Sequence, residues 1–267
     1  MSNKVIFIIV DALNFAASKR MGYMMHLAEN KKAFFCKVKA ELPTLSRPLY
    51  EVLLTGTPCY ENNITNNLIV RRSTEESIFD LAKKNGLKTA AAAYYWISEL
   101  YNSSPFNYVK DREQKDETKN IQYGKFYFED TYPDSHLFLD AEVLRNEHDP
   151  DFLLIHPMGV DYAGHKFGGN SKEYYESALR IDFILGMFIP TWEKLGYKII
   201  VTADHGMHDL GLHGGIDDSE RQVPLWIIGS KSNTENFRDH LPQLQVAPIV
   251  CKLLGIEPSE KMEKCIL

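Results

Sequence analysis

Apolar residues along this chain gather into short continuous runs, and each run stops abruptly at a polar residue or a glycine. Residues 5–10, 152–156 and 197–202 are such runs, the pattern of strands buried on both faces. The alanine-rich stretch 88–96 and the stretch 223–229 read as further strands, and 35–42 alternates enough to be another. Between them, helical periods cover about 15–29, 47–54, 75–84, 135–146, 172–195 and 245–254. Asn85-Gly86, Gly196 and Gly255 mark three of the helix ends. The alternation predicts one α/β domain over 1–267, a doubly wound and mostly parallel sheet flanked by helices.

The regularity fails between about 96 and 132, where a charged, tyrosine-rich segment carries the polar run 110–120 without a period. This segment is expected to be a small inserted cap or lid. Its tyrosines serve either to stack on a ring of the substrate or to pack beneath the loop. Residues 61–67 are expected as a polar loop over the site.

Composition narrows the class. The 267 residues, 44% apolar and 25% charged, suit a globular enzyme-sized domain, and the net charge of -6 excludes a broad basic surface for nucleic acid polymers. A phosphate-bearing ligand therefore has to be held locally. Cys36, Cys59, Cys251 and Cys265 lack metal-knuckle spacing and read as reduced thiols. No stretch approaches the roughly 20 apolar residues that span a bilayer, and the first apolar run is short and closed by Asp11. A cytoplasmic chain with no membrane partner is the expectation.

In open α/β sheets ligands collect beyond the carboxyl ends of the strands. Asp11 follows the first run, and Asp204-His205-Gly206 follows 197–202. The stretch 35–42 delivers Pro43-Thr44-Leu45-Ser46-Arg47-Pro48, which places a hydroxyl just ahead of a helix, where free N–H groups favour an anion. Thr44 or Ser46 could equally be an ordinary N-cap. Asp161 and His165 lie four apart in a glycine-rich stretch read as a loop, and His213 falls in another glycine-flanked loop. Three carboxylates and three imidazoles without cysteine suit zinc or a similar divalent ion, and are too many for one tetrahedral site. Two cations a few Å apart are expected, with zinc favoured over manganese or magnesium.

The segments VIFIIVDAL, PTLSRPLYEVLLTG, GVDYAGHKFG, VTADHGMHDLGLHGG and VAPIVCKLLGIEP, in this order, resemble the alkaline phosphatase superfamily. They are most similar to its branch of nucleotide pyrophosphatase/phosphodiesterases and the catalytic domains of glycosylphosphatidylinositol ethanolamine-phosphate transferases. The resemblance implies an alkaline-phosphatase-like fold and makes Ser46 the nucleophile, with Thr44 the weaker alternative. It assigns Asp11, Ser46, Asp204 and His205 to one metal, and Asp161, His165 and His213 to the other. The branch usually has threonine where Ser46 stands. Leu49 is aligned with an asparagine that holds a phosphoryl oxygen, and Arg47 is the candidate replacement contact. The implied activity is hydrolysis of a small, nucleotide-like phosphate diester or pyrophosphate through a phosphoserine. A phosphomonoesterase and a non-catalytic metal-containing binding protein are the alternatives, and lipid transfer is disfavoured for want of a membrane segment. Substrate identity and oligomeric state are left open.

Overall fold

The computed structural model describes residues 3–230 and 240–266. Its strands are β1 (Lys4–Ile9), β2 (Ala33–Lys39), β3 (Thr89–Tyr94), β4 (Glu113–Lys115), β5 (Tyr123–Tyr127), β6 (Phe152–Ile155), β7 (Tyr197–Thr202), β8 (Gln222–Ile228) and β9 (Leu241–Pro242). The helices are α1 (Phe15–Ser18), α2 (Gly22–Glu29), α3 (Ser46–Thr55), α4 (Cys59–Asn62), α5 (Ile78–Lys84) and α6 (Tyr95–Tyr101). They continue with α7 (Asp134–His148), α8 (Gly159–Phe167), α9 (Lys172–Lys194), α10 (Asp218–Arg221) and α11 (Val246–Leu254).

The strands form one sheet in the order β4-β5-β3-β6-β1-β7-β8-β2-β9. The central five, β5 to β7 in that order, run parallel, whereas β8 is antiparallel to both β7 and β2. β2 therefore points the same way as β7. The carboxyl ends of β1, β2, β6 and β7 all emerge on one edge. Ile9 pairs with Thr202, so Asp11 and Asp204, each two residues further on, leave the sheet at the same level. Residues Val5–Ile9 are fully buried between helical layers, which is why β1 shows no alternation.

Several expectations are corrected. The helix expected over 15–29 is two helices. Asp182 of α9 accepts the Tyr23 and Met24 N–H groups at 2.9 and 3.0 Å and starts α2 anew. The stretch 158–169 is mostly the helix α8, not a loop. Its Gly164 permits close packing rather than flexibility, since a Cβ there would lie 2.8 Å from Met207. Residues 61–67 open with the end of α4. Within 96–132, β5 pairs with β3 and β4 with β5, so part of the segment read as a cap extends the sheet edge. Its tyrosines pack inward: Tyr101, Tyr123 and Tyr127 are buried, while Tyr108 is 52% exposed.

The helix α3 that carries Ser46 is buried along its whole length, including Glu51. The Glu51 carboxylate accepts the Ser73 hydroxyl and, at 2.8 Å, the Tyr101 hydroxyl. Burial nevertheless pushes its pKa up to about 7. A raised folded-state pKa gives stability that is complete below the unfolded value and is lost as pH rises through the folded one. Denaturant titrations should show Glu51→Gln flattening the loss of stability between pH 4.5 and about 7.

Candidate active site

Three strand ends and one helix start converge at the shared edge. Asp11, Asp204 and His205 are fully buried there, and Ser46, the first residue of α3, is 6% exposed. The Ser46 Oγ lies 3.1 Å from His205 Nε2. His205 Nε2 is also 3.3 Å from Asp204 Oδ2 and 3.7 Å from Asp11 Oδ1. Beside this group, Asp161 Oδ1 is 3.4 Å from His165 Nε2 and 3.7 Å from His213 Nε2. The His205 and His213 rings stack at 4.0 Å, so the two groups adjoin. All seven residues expected as ligands or nucleophile are brought together.

Each imidazole has its tautomer fixed by a carbonyl. His205 Nδ1 is 2.8 Å from Gly206 O, His165 Nδ1 is 2.9 Å from Gly211 O, and His213 Nδ1 is 2.8 Å from Thr44 O. A carbonyl only accepts, so each Nδ1 carries the proton and each Nε2 turns a lone pair inward. The Nε2 atoms of His165 and His213 face one another at 3.1 Å. Two lone pairs at that distance repel unless a cation lies between or beside them. Asp11 Oδ1, Asp161 Oδ1 and Asp204 Oδ2 are buried without a hydrogen-bond partner. These orphaned oxygens and converging nitrogens fit divalent cations. Compact donor groups are formed by Asp11, Asp204 and His205, and by Asp161 and His213 with His205. His205 thus reaches both groups, and the facing nitrogens of His165 and His213 place His165 with the second.

The charges show the same need. Burial, with Asp11 second, pushes the Asp161 and Asp204 carboxyls well above the usual range. Asp11 instead sits at about 2, because its hydrogen bond from His156 and the neighbouring imidazoles outweigh burial. Burial and the neighbouring His213 lower His205 to about 3, which leaves its ring neutral.

The local backbone is shaped for this convergence. Ala12, next to Asp11, has φ of 58°, in the sparsely populated left-handed region. Its N–H donates to Asp204 Oδ1 at 3.1 Å and its carbonyl accepts the Tyr174 hydroxyl. At Gly206 any Cβ would lie 2.0 Å from the Ser219 carbonyl oxygen, so the glycine after His205 is a steric requirement.

Two expectations fail here. Arg47 does not face the site, because its guanidinium pairs with Glu99 at 2.7 Å, bonds Ile69 O at 3.2 Å and lies 4.5 Å from the Trp96 ring centre. Leu49, where the resemblance places an asparagine, is fully buried against Ala40, Val52 and Cys59. Neither Thr44 nor Ser46 is a capping side chain of α3, whose N-cap is Leu45. The Thr44 hydroxyl is engaged by Gly214 N, Gly215 O and Glu220 at 2.9–3.0 Å, which secures the His213 loop.

Sequence reasoning missed three residues. Asn67 Oδ1 accepts the Arg47 N–H at 3.0 Å, at the start of α3. His156, at the end of β6, has Nε2 3.2 Å from Asp11 Oδ2, and the Tyr50 hydroxyl donates to the same oxygen. His156 carried the strand-end signal that singled out Asp11 and Asp204, and Tyr50 lies one helical turn after Ser46. Asn67 closes the polar stretch 61–67 expected over the site, but no spacing tied it to the start of α3.

Residues 5–222 match the family described as type I phosphodiesterase / nucleotide pyrophosphatase. GPI ethanolamine phosphate transferase 2 of Schizosaccharomyces pombe is 26% identical over 99% of the chain. The chain spans 38% of that relative's length. Murine ectonucleotide pyrophosphatase / phosphodiesterase 5 shares the fold, with TM-score 0.73, 12% identity and 96% of each chain covered. An inactive form of that murine protein has been solved in complex with AMP. The C-terminal periplasmic domain of EcEptC from Escherichia coli covers 98% of this chain and 88% of its own, with TM-score 0.67 and 12% identity. These likenesses, one of them to a periplasmic domain, overturn the expectation of a cytoplasmic chain. Reduced-looking cysteines and a short first run carried no information on compartment. Among the described residues no helix is long and apolar enough to cross a membrane. In a chain spanning 38% of its relative, that is no ground against a lipid substrate.

Proposed function

Because the chain belongs to the type I phosphodiesterase / nucleotide pyrophosphatase family, we propose that it cleaves phosphate diesters through a covalent phosphoryl-Ser46 and two zinc ions. The observation that carries this reading is the Ser46 Oγ, 3.1 Å from His205 Nε2 at the start of α3, between two groups of orphaned donors. Asp11, Ser46, Asp204 and His205 would hold one cation, and Asp161, His165 and His213 the other. Bound divalent ions supply positive charge that favours the alkoxide of Ser46 and offsets the charge developing on the phosphoryl group.

The chain's own residues do the rest. Ser46 Oγ bonds to phosphorus as the ester P–O bond on the opposite side breaks, and the alcohol departs with a proton. An acceptor oxygen then bonds to phosphorus, the Oγ–P bond breaks, and Ser46 regains its hydroxyl. The Asn67 amide, its Oδ1 taken by Arg47 N–H, retains an NH2 group to donate to a phosphoryl oxygen. The Ser46 N–H and the positive end of the α3 dipole add to this, whereas the Arg47 N–H is taken by Asn67, Pro48 has none and the Leu49 N–H bonds Leu45 O. Arg47 and Glu99 keep that helix start in place.

A second reading, transfer to an alcohol rather than to water, is favoured by the curated relatives, which are named GPI ethanolamine phosphate transferases. The open side of the site suits it, since the His165 side chain is 46% exposed. Metal-depleted protein, reloaded with zinc, manganese or magnesium, should release p-nitrophenol from bis-p-nitrophenyl phosphate faster than from p-nitrophenyl phosphate. With ethanolamine-phosphate p-nitrophenyl ester and added alcohol, product partition separates transfer from hydrolysis. Faster cleavage of the monoester would replace the diesterase reading, and no release with any metal would end it.

A further inference from the structure

We infer that Glu220 is a positioning residue that locks the Ser46 loop to the His213 loop, so that the nucleophile and the second ligand group move as one unit. Glu220 sits on α10, outside both donor groups, and is buried. Its Oε2 accepts the Gly215 N–H at 2.6 Å and the Thr44 hydroxyl at 3.0 Å. Its backbone carbonyl accepts the N–H of Gly206, the residue after His205, at 2.7 Å. One residue thereby holds the three loops that carry Ser46, His205 and His213.

The linkage is short at every step. Thr44 stands two residues before Ser46, and its hydroxyl accepts the Gly214 N–H at 2.9 Å while facing Glu220 and Gly215 O as donor. The Thr44 carbonyl, 2.8 Å from His213 Nδ1, turns the His213 Nε2 toward the site. A displacement of Thr44 therefore moves Ser46 and rotates His213 together. The other end of the loop is held by the neighbour of Glu220. Arg221 O accepts the Ala40 N–H at 2.7 Å, and the Arg221 guanidinium donates to Ala40 O at 2.8 and 3.0 Å. Segment 40–46 is thus tied at Ala40 and at Thr44 to two successive residues of α10. Gly215 belongs to the same device, since a Cβ there would lie 3.2 Å from Glu220 Oε2 and press on the oxygen that its own N–H needs. Both bonds to the carboxylate end on Oε2, so a glutamine carbonyl, with two lone pairs, can replace it.

The inference rests on the reading of Ser46 and the two cations above, but its first readout needs neither metal nor turnover. In metal-free protein carrying isotopically labelled histidine, NMR correlations within the ring report the tautomer of His213. Wild type and Glu220→Gln should hold the Nδ1–H tautomer, whereas Glu220→Ala and Thr44→Val should exchange between tautomers. Zinc titration should show affinity for one ion weakened about 10–100-fold in the latter two. At saturating zinc their kcat with bis-p-nitrophenyl phosphate should fall by about the same factor, with KM little changed. The double variant should lose little more than either single one, because both break the same link. Thr44→Ser, which keeps the hydroxyl, should recover most of the loss. Should Glu220→Ala not fold, Thr44→Val carries the same test. Wild-type tautomer and zinc affinity in Thr44→Val or in a folded Glu220→Ala would overturn the inference and leave the diesterase reading standing. Impairment of Glu220→Gln equal to that of Glu220→Ala would also overturn it, since charge rather than hydrogen bonding would then be acting. Tautomers as stated, in a wild type that binds no zinc and cleaves no diester, would keep the lock and end the diesterase reading.

Discussion

Ser46→Ala is expected to lower turnover of phosphate diesters by at least about a thousandfold while leaving the fold and the metal content nearly intact. The expectation follows from how little else the hydroxyl does. Ser46 is the first residue of α3, where it caps nothing, and its Oγ has one side-chain neighbour, His205 Nε2 at 3.1 Å. Alanine is a good first-turn residue, so helix α3 should form as before. His205 keeps its tautomer through the Gly206 carbonyl, and three of the four proposed ligands around the first cation persist. Single-turnover kinetics with a labelled diester would check the claim twice. Wild type should accumulate label on one serine peptide before release, and the variant should show neither label nor burst. Near-parent turnover by Ser46→Ala would sink the covalent mechanism, whatever the metal content.

The sheet and the ligand set were legible in the sequence for one physical reason. Strands buried on both faces must be apolar throughout, so their ends are sharp, and polar residues at those ends stand out. Asp11, Asp204 and His205 were found that way, and the register of Ile9 with Thr202 explains why they meet. What was hidden depended on partners far along the chain. Arg47 was the candidate anion contact because it stands next to Ser46 where the branch's asparagine is missing, yet Glu99 lies 52 residues away and claims it. Asn67 reaches the start of α3 only because the chain returns after α4, a route without periodicity. The glycines of 159–169 suggested a loop, while the structure uses Gly164 to bring α8 against Met207. The edge strand β4, three residues long and polar, carries too little pattern to be seen. The cytoplasmic expectation failed because it rested on the lack of a membrane-length apolar stretch, which says nothing of the compartment in which a domain folds.

Asp204→Asn should act in opposite directions on activity and on the stability of the metal-free chain. Asp204 Oδ1 accepts the Ala12 N–H, a bond that asparagine keeps. Oδ2 is buried without a partner, 3.3 Å from His205 Nε2. An amide NH2 in that place would donate to the Nε2 lone pair, so the substitution fills an orphaned position. Burial and Asp11 hold the Asp204 carboxyl above its normal pKa. The stability it contributes to the metal-free protein is therefore full below the ordinary aspartate value of 3.8 and is lost as pH rises through the folded value. Asp161 has the same sign, and only Asp11, lowered to about 2, has the other. Metal-free wild type should accordingly lose stability from about pH 4 upward, and saturating zinc should reverse that slope, because the cation requires the ionised carboxylates. Asp204→Asn should be more stable than wild type at pH 7 without metal and respond more weakly to zinc. Its diesterase activity should fall by roughly three orders of magnitude or more, the scale of several kcal/mol of lost charge stabilisation. Urea titrations at pH 5 and 7, with and without zinc, test both halves. A variant less stable than wild type in the metal-free state at pH 7 would mean that Asp204 is held for the fold rather than for a cation.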